Sequence, residues 1–326
     1  MIMEHGVAAV VVIVLAACAP RGQPAEPSGS LAAGDHSLSI RHDGRQRDFF
    51  VHVPPAVRDG RALPVLLAFH GGGGEANGFR AYAGLDSVAD RAGLIVVYPE
   101  GTGPLPNRLH TWNAGGCCGY AKDNAVDDVG FAIAIVDDLE GRIRTDARRI
   151  YATGHSNGGM MAWRLAAERA DRIAAIAPVA GAMTLDVFSP SRPVPVLHVH
   201  SVDDPRAPYE GGTGPPFPLT NTRVDHEPVE DALDRWIVVN GCATEPTVAE
   251  TRRGQPGQSD ASHTATLFVW SGCAGGTEVA HWKLTGAGHG WPGGPSGLGQ
   301  ALIGPETRVI NAATEVWAFV SRFSLR

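Results

Sequence analysis

Ile150-Tyr151-Ala152-Thr153-Gly154-His155-Ser156-Asn157-Gly158-Gly159-Met160-Met161 reads as a short apolar strand, an abrupt turn and the first turn of a helix. It contains G-x-S-x-G. In a strand–turn–helix elbow the serine takes a strained φ > 0, and the residues two before and two after it must lack a Cβ so that strand and helix can pass closely. Gly154 and Gly158 meet that demand, Arg148–Thr153 supplies the strand, and Met160–Ala170 is rich in helix formers. The turn lifts the Ser156 hydroxyl clear of the sheet and points a helix N-terminus at it, so that backbone N–H groups face any negative charge developing there.

Working outward, Pro64–Phe69 is a continuous apolar run of the kind covered on both faces of a sheet. It ends in His70-Gly71-Gly72-Gly73-Gly74, where the glycines let backbone amides approach a ligand. Phe79–Ala92 has helical periodicity and Leu94–Pro99 is the next buried strand, so strand, helix and strand imply a parallel sheet. Glu100–Asn124 is long enough to be functional rather than a connector. After it, Val126–Phe131 opens a helix to about Arg144, with Asp127 and Asp128 in the first turn, where the dipole favours them. On the N-terminal side, His36–Val53 alternates polar and apolar residues about Asp43-Gly44 and reads as a hairpin. Beyond the elbow, strands are expected at Ile173–Val179, Pro193–His200, Thr266–Trp270 and Glu278–Leu284, and helices at Val229–Val239 and Asn311–Phe323.

With 326 residues and 44% hydrophobic content, the chain suits one large α/β domain. Its net charge of -7, without a basic stripe, argues against nucleic acid. Val7–Ala17 is too short to span a bilayer and reads as the core of a secretory signal. Leu15-Ala16-Ala17-Cys18 resembles the lipobox of bacterial lipoproteins, although the preceding segment has Glu4 and His5 and no Lys or Arg. The expected division is a signal over 1–18 ending in a lipidated Cys18, a flexible linker over 19–34 and a catalytic domain over 35–326. Setting Cys18 aside leaves an even set suited to an oxidising compartment. Cys242 follows a predicted helix and Cys273 a predicted strand, so these two are expected to pair. Cys117 and Cys118 are adjacent and stand equally open to a bond with each other, a bond elsewhere or none. No C-x-x-C spacing points to a metal.

A nucleophilic serine needs a base within hydrogen-bond reach and an acid to orient it. His289 sits between glycines in a loop after the Glu278–Leu284 strand, whereas His281 is within that strand and His198 and His200 lie on the strand before Ser201. The two histidines at i, i+2 are read as packing in the core or near the site rather than as a metal pair. Asp204 follows the Pro193–His200 strand, at the strand end where catalytic groups collect in open α/β sheets. Ser156, Asp204 and His289 therefore form the expected triad, with Asp203 as a competitor for the acid. The oxyanion donors are expected to be the backbone N–H of Asn157 and that of Gly72.

Several ordered blocks from about Ser37 onward resemble the secreted poly(3-hydroxybutyrate) depolymerase and feruloyl esterase family of α/β-hydrolases. They are His70–Gly74, Trp112–Gly119, Val126–Phe131, Gly154–Met161, Asp204-Pro205 with Pro208-Tyr209, and Gly288–Gly293. The resemblance implies an α/β-hydrolase fold, a mostly parallel doubly wound sheet with helices on both faces. It implies carboxylic ester hydrolysis without metal or cofactor, a triad aspartate immediately before proline, and Trp291 and the Trp112 loop lining the substrate pocket, a role extended to His155. Where the family has Gly-Thr-x-Asp this chain has Ser201-Val202-Asp203-Asp204, which keeps Asp203 in contention. The expected activity is an extracytoplasmic esterase on feruloyl or acetyl groups of polysaccharide, secreted or held to the envelope only by its lipid. A hydroxyalkanoate depolymerase and a non-catalytic binding protein are the rivals, and the oligomeric state stays open.

Overall fold

Asp43 and Gly44 take positive φ, 48° and 71°, the backbone of a two-residue hairpin turn. They join β1 (Gly34–His42) to β2 (Arg45–Val53) in antiparallel register from Gly34 opposite Val53 to His42 opposite Arg45. The computed structural model describes residues 30–105, 108–217, 223–295 and 299–326, so the expected signal and Cys18 lie outside the described residues.

The hairpin borders a ten-stranded sheet. Along the chain follow β3 (Leu63–Phe69), α1 (Ala76–Ala83), α2 (Leu85–Ala92), β4 (Ile95–Pro99), α3 (Gly119–Asp123), α4 (Asp128–Glu140), β5 (Thr145–His155), α5 (Asn157–Glu168), β6 (Ala175–Val179) and β7 (Val196–Ser201). Then come the short β8 (Gly212–Thr213) and β9 (Asp225–His226), α6 (Val229–Asn240), β10 (Thr247–Arg253), β11 (Thr264–Trp270), β12 (Val279–Thr285), α7 (Gln300–Ile303) and α8 (Ala312–Val320). The strand order is β1-β2-β4-β3-β5-β6-β7-β12-β11-β10. From β4 to β12 neighbours run parallel, while β1 and β2 at one edge and β11 and β10 at the other are antiparallel.

Every side chain of β3 is buried, because successive residues point to opposite faces that are both covered. Val65, Leu67 and Phe69 join the cluster built with α4, α5 and α6, around Trp163 and Trp236. Leu66 and Ala68 join the opposite cluster, roofed by α1, α2 and α8. Each large aliphatic side chain so buried contributes about 1.5–3 kcal/mol.

Three readings change. The helix expected over Phe79–Ala92 is two helices, because Gly84 turns to φ 67° between them. The helix after Val126 stops at Glu140, before Gly141, short of Arg144. The edge strand β10, Thr-Val-Ala-Glu-Thr-Arg-Arg, was not anticipated: it is polar and almost wholly exposed, held by antiparallel pairing with β11, and its charges suit a sheet edge. Cys242 is bonded to Cys273, tying the end of α6 to the loop after β11. The open question at Cys117 and Cys118 is answered by a bond between the two.

Candidate active site

The elbow between β5 and α5 has the geometry its glycines require. Ser156 sits at φ 55°, ψ -122°. A Cβ on Gly154 would lie 2.4 Å from the Gly158 carbonyl carbon, and one on Gly158 would lie 2.2 Å from the Phe69 oxygen. The first clash would push β5 and α5 apart, and the second would push α5 away from β3. Asn157 opens α5, where the amides have no intrahelical acceptor.

His289 Nε2 is 2.8 Å from Ser156 Oγ, and His289 Nδ1 is 2.7 Å from Asp204 Oδ2. The histidine loop is pinned by its own backbone: Gly288 N–H donates to the Pro305 carbonyl at 2.7 Å and His289 N–H to that of Ile303 at 2.5 Å. The Arg206 and Ala207 amides donate to Asp204 Oδ1 at 2.7 and 2.8 Å, and His200 Nε2 lies 3.3 Å from Oδ2. Burial works against the carboxylate, but the His289 charge and the bonds from His200 and His289 prevail and hold it well below the usual range. Asp203 turns the other way, its Oδ2 accepting from Gly286 N–H at 2.6 Å. Of the two neighbours, Asp204 meets the histidine.

The glycine loop lies against the elbow. Gly73 N–H donates to the His110 carbonyl at 2.8 Å and Gly74 N–H to that of Gly71 at 3.0 Å. Gly72 sits between them, and a Cβ there would be 3.5 Å from Asn157 Cβ and 2.9 Å from the Phe217 ring. Gly72 thus lies against Asn157, and Gly71 against the serine, where a Cβ would be 3.5 Å from Ser156 Cβ. The Asn157 side chain clamps the loop from Thr111 to Asn113: Oδ1 accepts from Trp112 N–H at 2.8 Å and Nδ2 donates to the Trp112 carbonyl at 3.1 Å.

Three residues expected to line the substrate pocket are buried. Trp112 is fully buried, edge-on to Phe69, with Nε1–H donating to the His70 carbonyl at 2.9 Å. Trp291 is buried edge-on to Phe79 in the cluster under α1. His155 donates from Nε2 to the His289 carbonyl at 2.7 Å, and burial together with nearby His289 pushes it down to about 3, so it braces the His289 backbone as a neutral ring.

Sequence reading missed the supports of the glycine loop. His70, Glu100 and His110 bring ligand-type atoms within 4.8 Å of one another, a set able to hold a cation, but these atoms are already engaged. His70 Nδ1 donates to the Gly71 carbonyl at 2.8 Å and Nε2 accepts from Gly101 N–H at 3.1 Å. Glu100 Oε1 meets His110 Nδ1 at 2.7 Å and Oε2 accepts from Ala76 N–H at 3.1 Å. Burial opposes the Glu100 charge, yet the bond from His110 prevails and brings it down to about 2; the Glu100 bond, against burial, raises His110. Asp127 and Asp128 also divide their roles. Asp127 caps α4 through Gly130 N–H at 2.8 Å, whereas Asp128 is buried with Arg47 at 2.7 Å and accepts from Asn113 N–H at 2.8 Å, fixing the far end of the Trp112 segment.

A family profile described as Esterase PHB depolymerase matches residues 48–212. NocK of Nocardia uniformis subsp. tsuyamanensis, designated an esterase, is 31% identical over 277 residues, spanning 83% of this chain and 78% of NocK. Feruloyl esterase B of Piromyces equi is 27% identical over 290 residues, 86% of this chain but 46% of that protein. The crystal structure of native sOPH superposes with a TM-score of 0.54 at 18% identity, over 94% of this chain and 90% of that one. Together with the sheet order and the elbow, that likeness makes the fold an α/β-hydrolase fold.

Proposed function

Because the chain belongs to the esterase PHB depolymerase family and is a carboxylic ester hydrolase, we propose that it is an extracytoplasmic serine esterase cleaving feruloyl- and acetyl-type esters of polysaccharide. The observation that carries the mechanism is the row Ser156 Oγ, His289 Nε2, His289 Nδ1, Asp204 Oδ2, with spacings of 2.8 and 2.7 Å across its two gaps. Ser156 Oγ attacks the ester carbonyl while His289 Nε2 takes its proton, and Asp204 holds Nδ1–H and balances the imidazolium. The carbonyl oxygen, now an anion, is received by the backbone amides of Asn157 and Gly72. Collapse of the tetrahedral species expels the alcohol, which leaves with the proton from His289. Water then attacks the acyl-Ser156 ester by the same route, giving the free acid and restoring the hydroxyl. Each oxyanion donor is worth about 3–4 kcal/mol of barrier.

The feruloyl esterase among the relatives supports the substrate class. The family's own description keeps a hydroxybutyrate polyester or its oligomers as the second reading. Two disulfides support an oxidising compartment, and the lipobox-like Cys18 supports anchoring there. The test is a serine-directed phosphonate followed by mass analysis, then methyl ferulate, acetylated xylan and hydroxybutyrate oligomers in parallel. Stoichiometric labelling lost in Ser156→Ala is expected. An unlabelled protein would point to ligand binding without catalysis, and turnover of the oligomers alone would reverse the order of substrates.

A further inference from the structure

Behind Asp204 lies a buried pair of histidines whose hydrogen bonds can be counted. His198 Nδ1 faces the Pro178 carbonyl at 3.1 Å, and His200 Nε2 faces the Ala207 carbonyl at 2.9 Å and Asp204 Oδ2 at 3.3 Å. Those partners only accept, so both nitrogens carry hydrogen. Between the rings, His198 Nε2 and His200 Nδ1 are 3.0 Å apart, which needs one hydrogen more. Two neutral imidazoles hold two hydrogens and three are required. Filling all three contacts calls for one extra proton on the pair.

We propose that this proton resides on His200, making it a positioning residue of the triad: a buried cation on the same Asp204 oxygen that receives His289. The inference rests on the triad reading given above. Asp204 is the anion in contact with the pair. On β7 itself His198 is driven well down by burial and by the charges of His200 and His281, whose ring stacks on it at 5.5 Å. On the elements packed around His200, burial first of all pushes His155 down to about 3 and His226 and His281 to about 4. Of the other charges nearby, Glu230 takes Lys283 at 2.9 Å and the Tyr209 hydroxyl, Arg206 is a second cation near Asp204 whose guanidinium donates to the Pro216 carbonyl at 3.0 Å, and His289 belongs to the triad. A cation at His200 keeps Asp204 ionised and opposes protonation of His289 from behind. It thereby extends the active range toward acid pH.

The test compares pH profiles of kcat/KM for wild type, His200→Gln and His200→Phe on one soluble ester, with phosphonate labelling of each. Losing the cation should move the acid limb up by about one pH unit in both variants, with KM within about threefold. An acid limb that stays in place in a variant that still labels would overturn the proposal, even if kcat fell, because a merely structural role predicts that pattern. Should neither variant fold, 15N spectra of the wild type decide. Hydrogen on both His200 nitrogens at neutral pH supports the proposal, and hydrogen on one alone overturns it. A wild type unlabelled at Ser156 would defeat the triad reading instead, and the spectra would still report the His200 proton independently.

Discussion

Histidines and carboxylates gather on both sides of the serine turn, and the two gatherings close their charges differently. Under the glycine loop, Glu100 has its own partner in His110 and its second oxygen on the Ala76 amide, while His70 accepts and donates one bond each. Behind the acid, His198 and His200 have one hydrogen bond more than two neutral rings can supply, and the nearest carboxylate is Asp204. The first group is complete in itself and holds backbone in place. The second borrows its counter-charge from the row that reaches Ser156, so the same residue types make a brace on one side and a field on the other.

The largest expected effects lie on the acid side. Ser156→Ala should lower kcat on the order of a million-fold, as removal of a nucleophile does where triad members act as a unit. Asp204→Asn should cost roughly ten-thousand-fold in kcat by disturbing the imidazole tautomer. Asp203→Asn, which keeps an oxygen toward Gly286 N–H, should stay within about threefold because it makes no bond to the row. Steady-state rates of the pair check this. Equal losses in the two aspartate variants would show that the turn before Gly286 matters as much as the charge.

Glu100→Gln tests the brace. It should lower kcat by about 10–100-fold at nearly constant KM, because loosening the Gly72 amide weakens a contact made chiefly in the transition state. Its effect on stability has a definite pH signature. Glu100 has a folded value of about 2, below its unfolded value of about 4.3, so its contribution is full above the latter and lost as pH falls through 2. His110 is raised, so its contribution is full below about 6.5 and lost as pH rises through the folded value. The Tm gap between wild type and Glu100→Gln should therefore be widest, about 2–4 °C, between roughly pH 4.5 and 6.5 and narrow on either side. A gap independent of pH would mean that the Ala76 amide bond, rather than the ion pair, carries the effect.

What could be read from sequence follows the range over which each residue's role is set. The elbow was legible because its motif is local: a Cβ at Gly154 would meet the Gly158 backbone four residues on, although one at Gly158 would meet the Phe69 and His70 backbone of the neighbouring β3. The parallel strands were legible as apolar runs, and β10 was not, because an exposed edge strand is specified by its neighbour's hydrogen bonds. Asp203 and Asp204 share one turn chemistry, and only the placement of Gly286 and His289, more than 80 residues away, separates them. Glu100 and His110 sit ten residues apart in a loop and act on His70, 30 residues upstream, through bonds with no periodic signature.

The smallest effect distinguishes core from pocket on the brace side. Trp112→Phe keeps the ring against Phe69 and removes the Nε1–H that the His70 carbonyl accepts at 2.9 Å. A buried carbonyl left without its donor costs about 1–3 kcal/mol, so Tm should fall. With the side chain fully buried, KM should shift less than about twofold for acetyl and feruloyl esters alike, since losses away from the substrate surface act through stability. A selective rise in KM for the bulky aromatic ester would return Trp112 to the substrate pocket. In that event Asn157, which grips the Trp112 backbone from both sides, would be positioning a recognition element as well as the oxyanion amide.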